Sequence, residues 1–242
     1  MKKVLALSFL SALSTSALAD VGFDLSQESN NETTMKAGFA AESGFSTSLE
    51  GVFTNGFEKT KEVTLDTAWK LNVTDNFYVQ PQAAVTVSGN NAKEYVIPHT
   101  GDEALYADKG TTYKVGVKTG YDFDSGAFVS ARYRLDSRKD KLQLEGGKHK
   151  FKNQIHRTDL TVGYNMDLAT ISANWIHKDG SIKLLDGKAK TKADEFEFKA
   201  VSNIFGDLKP YAQYTVKTKN KFNGKTEPKA DNVFKVGMAY NF

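Results

Sequence analysis

The chain has 242 residues, 40% hydrophobic and 25% charged, with a formal charge of +3, a mean hydropathy of −0.46 and no cysteine. That composition excludes a disulfide-stapled scaffold, and no stretch reaches the ~20 consecutive apolar residues that a membrane-spanning helix needs. A transmembrane β-barrel stays open, because lipid-facing and lumen-facing residues alternate in it and the mean remains polar.

The first residues combine Lys2 and Lys3, an apolar run from Val4 to Leu13, and Ala17-Leu18-Ala19. This is the pattern of a secretory signal peptide over residues 1–19, cleaved after Ala19. The apolar run is too short for a membrane anchor. Fold reasoning then concerns residues 20–242, one domain whose charge falls to +1 once Lys2 and Lys3 are gone. So small a net charge gives no reason to expect a nucleic-acid partner.

Twelve segments alternate with period two, the mark of a strand with two chemically different faces. Residues 21–27 put Val21, Phe23 and Leu25 on one face, and 34–41 group Met35, Ala37 and Phe39. Residues 45–54 set Phe45, Leu49 and Phe53 against Ser46, Ser48 and Glu50, and 62–71 set Val63, Leu65 and Trp69 against Glu62 and Asp66. Residues 77–87 oppose Phe77, Val79 and Val85 to Gln80 and Gln82; Pro81 removes a ladder donor there and predicts a bulge or break. Residues 112–123 oppose Tyr113, Val115, Val117 and Tyr121 to Lys114, Lys118 and Asp122.

In residues 128–139, Val129, Ala131, Tyr133 and Leu135 alternate with Arg132, Arg134, Asp136 and Arg138. Residues 155–165 set Leu160, Val162 and Tyr164 against Arg157 and Asp159, and 168–177 set Ile171, Ala173 and Trp175 against Ser172 and Asn174. Residues 195–204 oppose Phe196 and Phe198 to Glu195, Glu197 and Lys199. Residues 209–218 set Ala212, Tyr214 and Val216 against Lys217, and 232–242 set Phe234, Val236, Met238 and Tyr240 against Lys235.

The connections alternate in length. Residues 42–44, 72–76, 124–126, 165–167 and 206–207 are short; 88–111, 139–154, 178–194 and 219–231 are long, with lesser examples near Asn30 and Gly56. Short turns at one end and long loops at the other predict an all-β fold, a 12-stranded antiparallel transmembrane β-barrel of the Gram-negative outer membrane. A soluble sandwich or lipocalin-like barrel also alternates, but has a polar exterior and no reason to sort its loops. Here the apolar face carries rings near its ends (Phe45, Phe77, Tyr113, Tyr121, Phe123, Tyr240), as girdles at two interfaces would. The terminal Phe242, with Tyr240 two residues before it, resembles the ending of Gram-negative outer-membrane proteins.

The polar faces then line a lumen, which for twelve strands is narrow. Lys114, Lys118, Arg132, Arg134, Arg138 and Arg157 fall on adjacent strands, with Lys199, Lys217 and Lys235 further on; Asp122, Asp136, Asp159 and Glu197 are the counter-charges. Two readings are open. The bases form a track that attracts anions without retaining them, or pairs such as Arg134 with Asp136 and Arg157 with Asp159 brace the wall. The long loops are lysine-rich (Lys139, Lys141, Lys148, Lys150 and Lys152; Lys183, Lys188, Lys190 and Lys192; Lys219, Lys221, Lys225 and Lys229), which suits a basic vestibule or contact with lipopolysaccharide phosphates.

Two readings from other classes compete. A barrel enzyme of lipase or protease type needs a nucleophile–base pair at the outer rim, yet His99 and His149 fall in loops and His156 and His177 on outward faces. A non-conducting adhesin or structural barrel is the third, with the 88–111 loop folded inward as a plug. No metal-ligand spacing or cofactor motif occurs.

The stretch TTYKVGVKTGYDFDSGAFVSARYR (residues 111–134), with NFYVQPQAAV before it (residues 76–85), resembles the matching strands of the KdgM-type oligogalacturonate-specific porins. The shared features are the Thr-Thr-Tyr-Lys strand start, the acidic-glycine turn and Ala-Arg-Tyr-Arg. The resemblance implies a monomeric twelve-stranded barrel with basic tracks that pass acidic oligosaccharides, and it places Lys114, Arg132 and Arg134 in the pore lining.

Overall fold

The computed structural model describes residues 19–89, 93–98, 104–144, 147–184, 187–229 and 231–242. The expected signal peptide lies outside this range except for Ala19, and so does part of the 88–111 loop, including His99.

Twelve antiparallel strands close on themselves. They are β1 (Ala19–Glu28), β2 (Glu32–Ala41), β3 (Phe45–Thr54), β4 (Lys59–Trp69, resumed at Leu71–Asn72), β5 (Phe77–Ser88), β6 (Thr112–Asp122), β7 (Ala127–Leu144), β8 (Gly147–Asn165), β9 (Ala169–Leu184), β10 (Gly187–Ser202), β11 (Leu208–Lys217) and β12 (Val233–Asn241). Each pairs with its chain neighbours, and β12 closes the ring on β1 through the register Gly22↔Asn241 to Glu28↔Lys235. Closure leaves no sheet edge, so backbone donors and acceptors are met between strands, as a bilayer demands.

Local chemistry sets the turns. Gly44 and Gly126 adopt φ of 85° and 89°, which tight hairpins require, and each N–H donates back across its turn, to Ala41 O and Phe123 O. The start of β1 and the end of β12 lie at this short-turn end, where the Phe242 N–H donates to Val21 O at 2.8 Å. Of the two outcomes expected at Pro81, the structure shows the local break. β5 keeps its full register with β6, Pro81 opposite Val117, while the ladder with β4 lapses at Trp69 and Lys70 and resumes at Leu71↔Val79 without a shift. The missing donor opens a gap and no bulge.

Burial runs opposite to that of a water-soluble protein. Val162 is 55% exposed, Phe198 52% and Val236 47%, whereas Thr34, Thr64, Thr86 and Asp159 are buried. Apolar side chains ring the outside and polar ones fill the inside, a surface that suits lipid. Aromatic residues mark both margins. Phe45, Phe77, Tyr121, Phe123 and Tyr240 lie toward the short turns, with Tyr121 and Phe123 ring centroids 4.8 Å apart. Trp69 is tied to the nearby turn by its Nε1–H, which donates to Ser43 O at 2.9 Å. Tyr113, Tyr133 and Trp175 stand near the other margin.

The largest departure from expectation is at the long-loop end. Residues 139–144, 147–154, 178–184 and 187–194, expected within loops, are continuations of β7–β10, which reach 18, 19, 16 and 16 residues. Their lysines recur every second residue, which is itself a strand pattern; it was hidden because the apolar members between them are few. Two hairpins extend this projection. Residues Lys93–Pro98 and Ala104–Asp108 pair with each other and then with β7 through Leu142↔Ala107. Residues Lys219–Phe222 and Lys225–Lys229 form another that pairs with β10 through Thr191↔Phe222.

Candidate functional site: the charged lumen

Strand parity puts even-numbered residues of β6 and β7 and odd-numbered residues of β8 on the inner face. Lys114, Lys118, Arg132, Arg134, Arg138 and Arg157 therefore share one stretch of lumen wall. The register aligns them in tiers, Lys118↔Arg132↔Asp159 and, one tier outward, Arg134↔Arg157↔Lys178. Tiers are two residues apart, about 6.6 Å along a strand.

The arginines are tied down. Arg134 holds Asp136 with two parallel bonds, Nε to Oδ1 at 2.6 Å and Nη2 to Oδ2 at 2.8 Å. Asp159 is shared by Arg132 and by Arg157, the latter at 2.7 Å. Arg138 pairs with buried Asp140 at 2.8 Å, and that carboxylate also accepts the Gly110 N–H at 2.9 Å. Planar guanidinium–carboxylate forks of this kind fix side chains as well as charge. The wall-brace reading of the sequence thus describes the arginines.

The lysines differ. Among the described residues, Lys114 and Lys118 contact no carboxylate, although Lys114 stands opposite Asp136 in register. Lys118 lies 5.8 Å from the Tyr78 ring centroid and Lys70 4.5 Å from it. The second group also faces inward, beyond β9. Lys199 sits over Tyr211 at 4.0 Å, Lys235 is bound to Glu28 at 2.7 Å, and Lys217 is opposite Glu195 with no ion pair among the described residues. Of the counter-charges, Glu197 accepts from Asn174 Nδ2 at 3.0 Å, Asp122 is exposed near the short-turn end, and among the described residues neither has an ion pair.

Three contributors were missed. Lys178, read as the start of a loop, stands in the cation tier beside Arg157 and pairs with Glu195 at 2.7 Å. Asp140 was placed in a loop for the same reason, and Lys109 reaches Glu62 at 3.1 Å. Recognising the period-two pattern of residues 139–154 and 178–194 would have found the first two. A cavity of about 270 Å³ opens against this wall between Lys109, Lys114, Arg134, Arg157 and Lys178, and a wider one of about 610 Å³ lies nearer the short turns by Asp24, Lys36 and Asp66.

Inward glycines keep the lower lumen wide. Tyr78 faces Gly120, Phe128 faces Gly163 and Tyr211 faces Gly237 across neighbouring strands. A Cβ at these glycines would come within 2.5, 2.2 and 2.4 Å of the rings, so each ring lies against the wall where a side chain is missing. Tyr211 is anchored further by its hydroxyl, which donates to Asp24 at 2.9 Å.

Above the charged tiers the inner face changes character. Phe151, Ile182 and Ala189 pack with Ala107 from one hairpin and Phe222 from the other in a small apolar cluster. The 88–111 loop thus places Ala107 on the inner face of the projection. His156 and His177 face outward, His156 to the Tyr133 hydroxyl at 2.6 Å and His177 to Asp194 at 2.8 Å. The side chain of His149 lies outside the described residues.

No family model matches the sequence, and no curated protein does. Among solved structures, the NanC porin is similar with a TM-score of 0.63 at 20% identity, over 92% of this chain and 100% of that one. The KdgM porin gives 0.54 at 12% identity, over 92% and 99%, as does the KdgM porin in complex with disordered oligogalacturonate. The chain therefore has the twelve-stranded barrel fold of the NanC and KdgM porins.

Proposed function

We propose that the mature chain, residues 20–242, is an outer-membrane porin that passes acidic oligosaccharides by passive diffusion. The observation that carries this reading is the lumen wall of β6–β8, where Lys114 and Lys118, without an ion pair among the described residues, stand among arginines fixed by carboxylates. Fixed pairs hold the wall open, while flexible ammonium groups offer an anion successive weak contacts, which conduction needs. The solved complex of the KdgM porin with oligogalacturonate favours a uronate-type solute. The resemblance of residues 111–134 supports the same choice and a monomeric state.

The test is liposome swelling with the refolded chain. Oligogalacturonates of two to four sugars are expected to enter several-fold faster than neutral oligosaccharides of equal length. Equal rates would remove the anionic preference, and no swelling with any solute would favour a non-conducting barrel. The apolar cluster of Phe151, Ile182 and Phe222 favours a restricted outer mouth, so short solutes are the first to try.

A further inference from the structure

Of the loop lysines expected to form a vestibule, Lys139, Lys141, Lys150, Lys152, Lys183, Lys188, Lys190 and Lys192 do not line the lumen. On β7–β10 they occupy the outward parity, opposite to Phe151, Ile182 and Ala189. The register places four of them side by side as Lys139↔Lys152↔Lys183↔Lys188, one from each strand. Directly opposed residues have Cβ atoms about 5 Å apart, and like charges there are destabilising. All four are exposed, and among the described residues none has an ion-pair partner. Lys141↔Lys150 adds a further pair, and Lys190 and Lys192 continue the field down β10, where Lys192 is 3.7 Å from Asp179.

The position of this row says what it meets. Below it on the same outer face the register gives Ser137–Gln154–Ser181, then Leu135–His156–Asp179, then Tyr133–Thr158–His177–Asp194, then apolar Ala131–Leu160–Trp175–Phe196. Tyr133 and Trp175 each have a polar partner there, His156 at 2.6 Å and Asp194 at 3.1 Å, as rings at a headgroup boundary do. From His156 to Lys152 is four residues, about 10 Å of height for strands rising about 3.3 Å per residue at a tilt of about 40°. An ordinary headgroup layer is only about 5–7 Å deep. The row thus overlooks the leaflet from above phospholipid height.

We propose that the outer face of the β7–β10 projection docks a glycolipid of the surrounding leaflet whose tall headgroup carries several phosphates or sugar carboxylates. The acyl chains of such a lipid lie along the apolar wall, and its anions rise to the lysine row. Lipopolysaccharide has this chemistry. The binding relieves a like-charge row that no ion pair among the described residues compensates. It uses no lumen residue, so it stands or falls separately from the transport reading.

The test uses the refolded mature chain in detergent micelles and the variant Lys139→Gln/Lys152→Gln/Lys183→Gln/Lys188→Gln. Native mass spectrometry would follow binding of deep-rough lipopolysaccharide, its phosphatase-treated form, and tetragalacturonate as a soluble polyanion. The wild type is expected to hold the intact lipid about tenfold or more tighter than the variant, with phosphatase treatment removing most of the difference. Equal binding by the two proteins would overturn the proposal. So would tetragalacturonate displacing the lipid at comparable concentration, since the row would then read soluble anions. Should the variant not fold, acetylation footprinting of the wild type decides: intact lipid must protect Lys152 and Lys183 and spare Lys225, and protection of none overturns the proposal.

Discussion

β7–β10 belong to two regions with opposite rules. In the membrane part, Val129, Val162, Ala173 and Phe198 point outward and Arg132, Asp159 and Glu197 inward. In the projection, Lys139, Lys152, Lys183 and Lys188 point outward, and Phe151, Ile182 and Ala189 inward. The strands do not break and the parity does not slip; the side-chain chemistry inverts because the surroundings do. Lipid outside demands apolar outer residues and tolerates a wet interior, whereas water outside demands a small apolar interior. A single strand can therefore carry a membrane wall and a soluble two-faced sheet in series.

Substitutions that carry the rule of one region into the other sharpen this contrast, and the largest effect is expected inside the projection. Phe151→Ala removes the main ring of the cluster. A buried Phe→Ala change costs about 3–5 kcal/mol, enough to open the projection locally. Hydrogen exchange should speed up over residues 150–157 and 178–192 and stay slow in β1–β6. Uniform protection throughout would mean that the cluster holds nothing together.

Next comes a charge on the lipid face. Val162→Arg should lower the unfolding free energy in bilayers by about 2–4 kcal/mol, while Gln154→Arg, eight residues away on the same outer face, should change it by less than about 0.5 kcal/mol. Equal costs in denaturant titrations would show that the boundary does not lie between these positions. A smaller effect is expected from Gly120→Ala. Its Cβ would meet the Tyr78 ring, at a cost of about 1–3 kcal/mol if the wall yields, and single-channel conductance should fall as the ring moves into the lumen. Smallest of all, Lys183→Gln should be neutral or stabilising by a few tenths of a kcal/mol in detergent at low salt, because like-charge contacts on both sides disappear. A clear loss of stability there would mean that Lys183 has an unrecognised partner.

Much of the barrel was legible because alternation reports face directly. The twelve strands, the end at which the short turns lie, and the inward parity of Arg132, Arg134 and Arg157 all follow from period two. The projection was not legible as strand, since its apolar members are sparse and sit on the face that carries charge lower down. The sharing of Asp159 was only half visible. Arg157 lies two residues away on the same strand, but Arg132 reaches it through the β7–β8 register, which the sequence does not state. Glycines 120, 163 and 237 were silent for the same reason, their meaning residing in the ring opposite.

We attribute the proposed preference for anions to Lys114 and Lys118, which have no ion pair among the described residues, rather than to the carboxylate-bound arginines. Reversal potential in a tenfold KCl gradient across a planar bilayer tests this attribution most directly, comparing wild type, Lys114→Glu/Lys118→Glu, and Arg134→Gln/Asp136→Asn. An anion-selective wild type is expected, with loss or reversal of selectivity in the lysine variant and little change when the neutral Arg134–Asp136 pair is removed. A lysine variant that keeps the wild-type reversal potential, or a wild type selective for cations, would contradict the attribution.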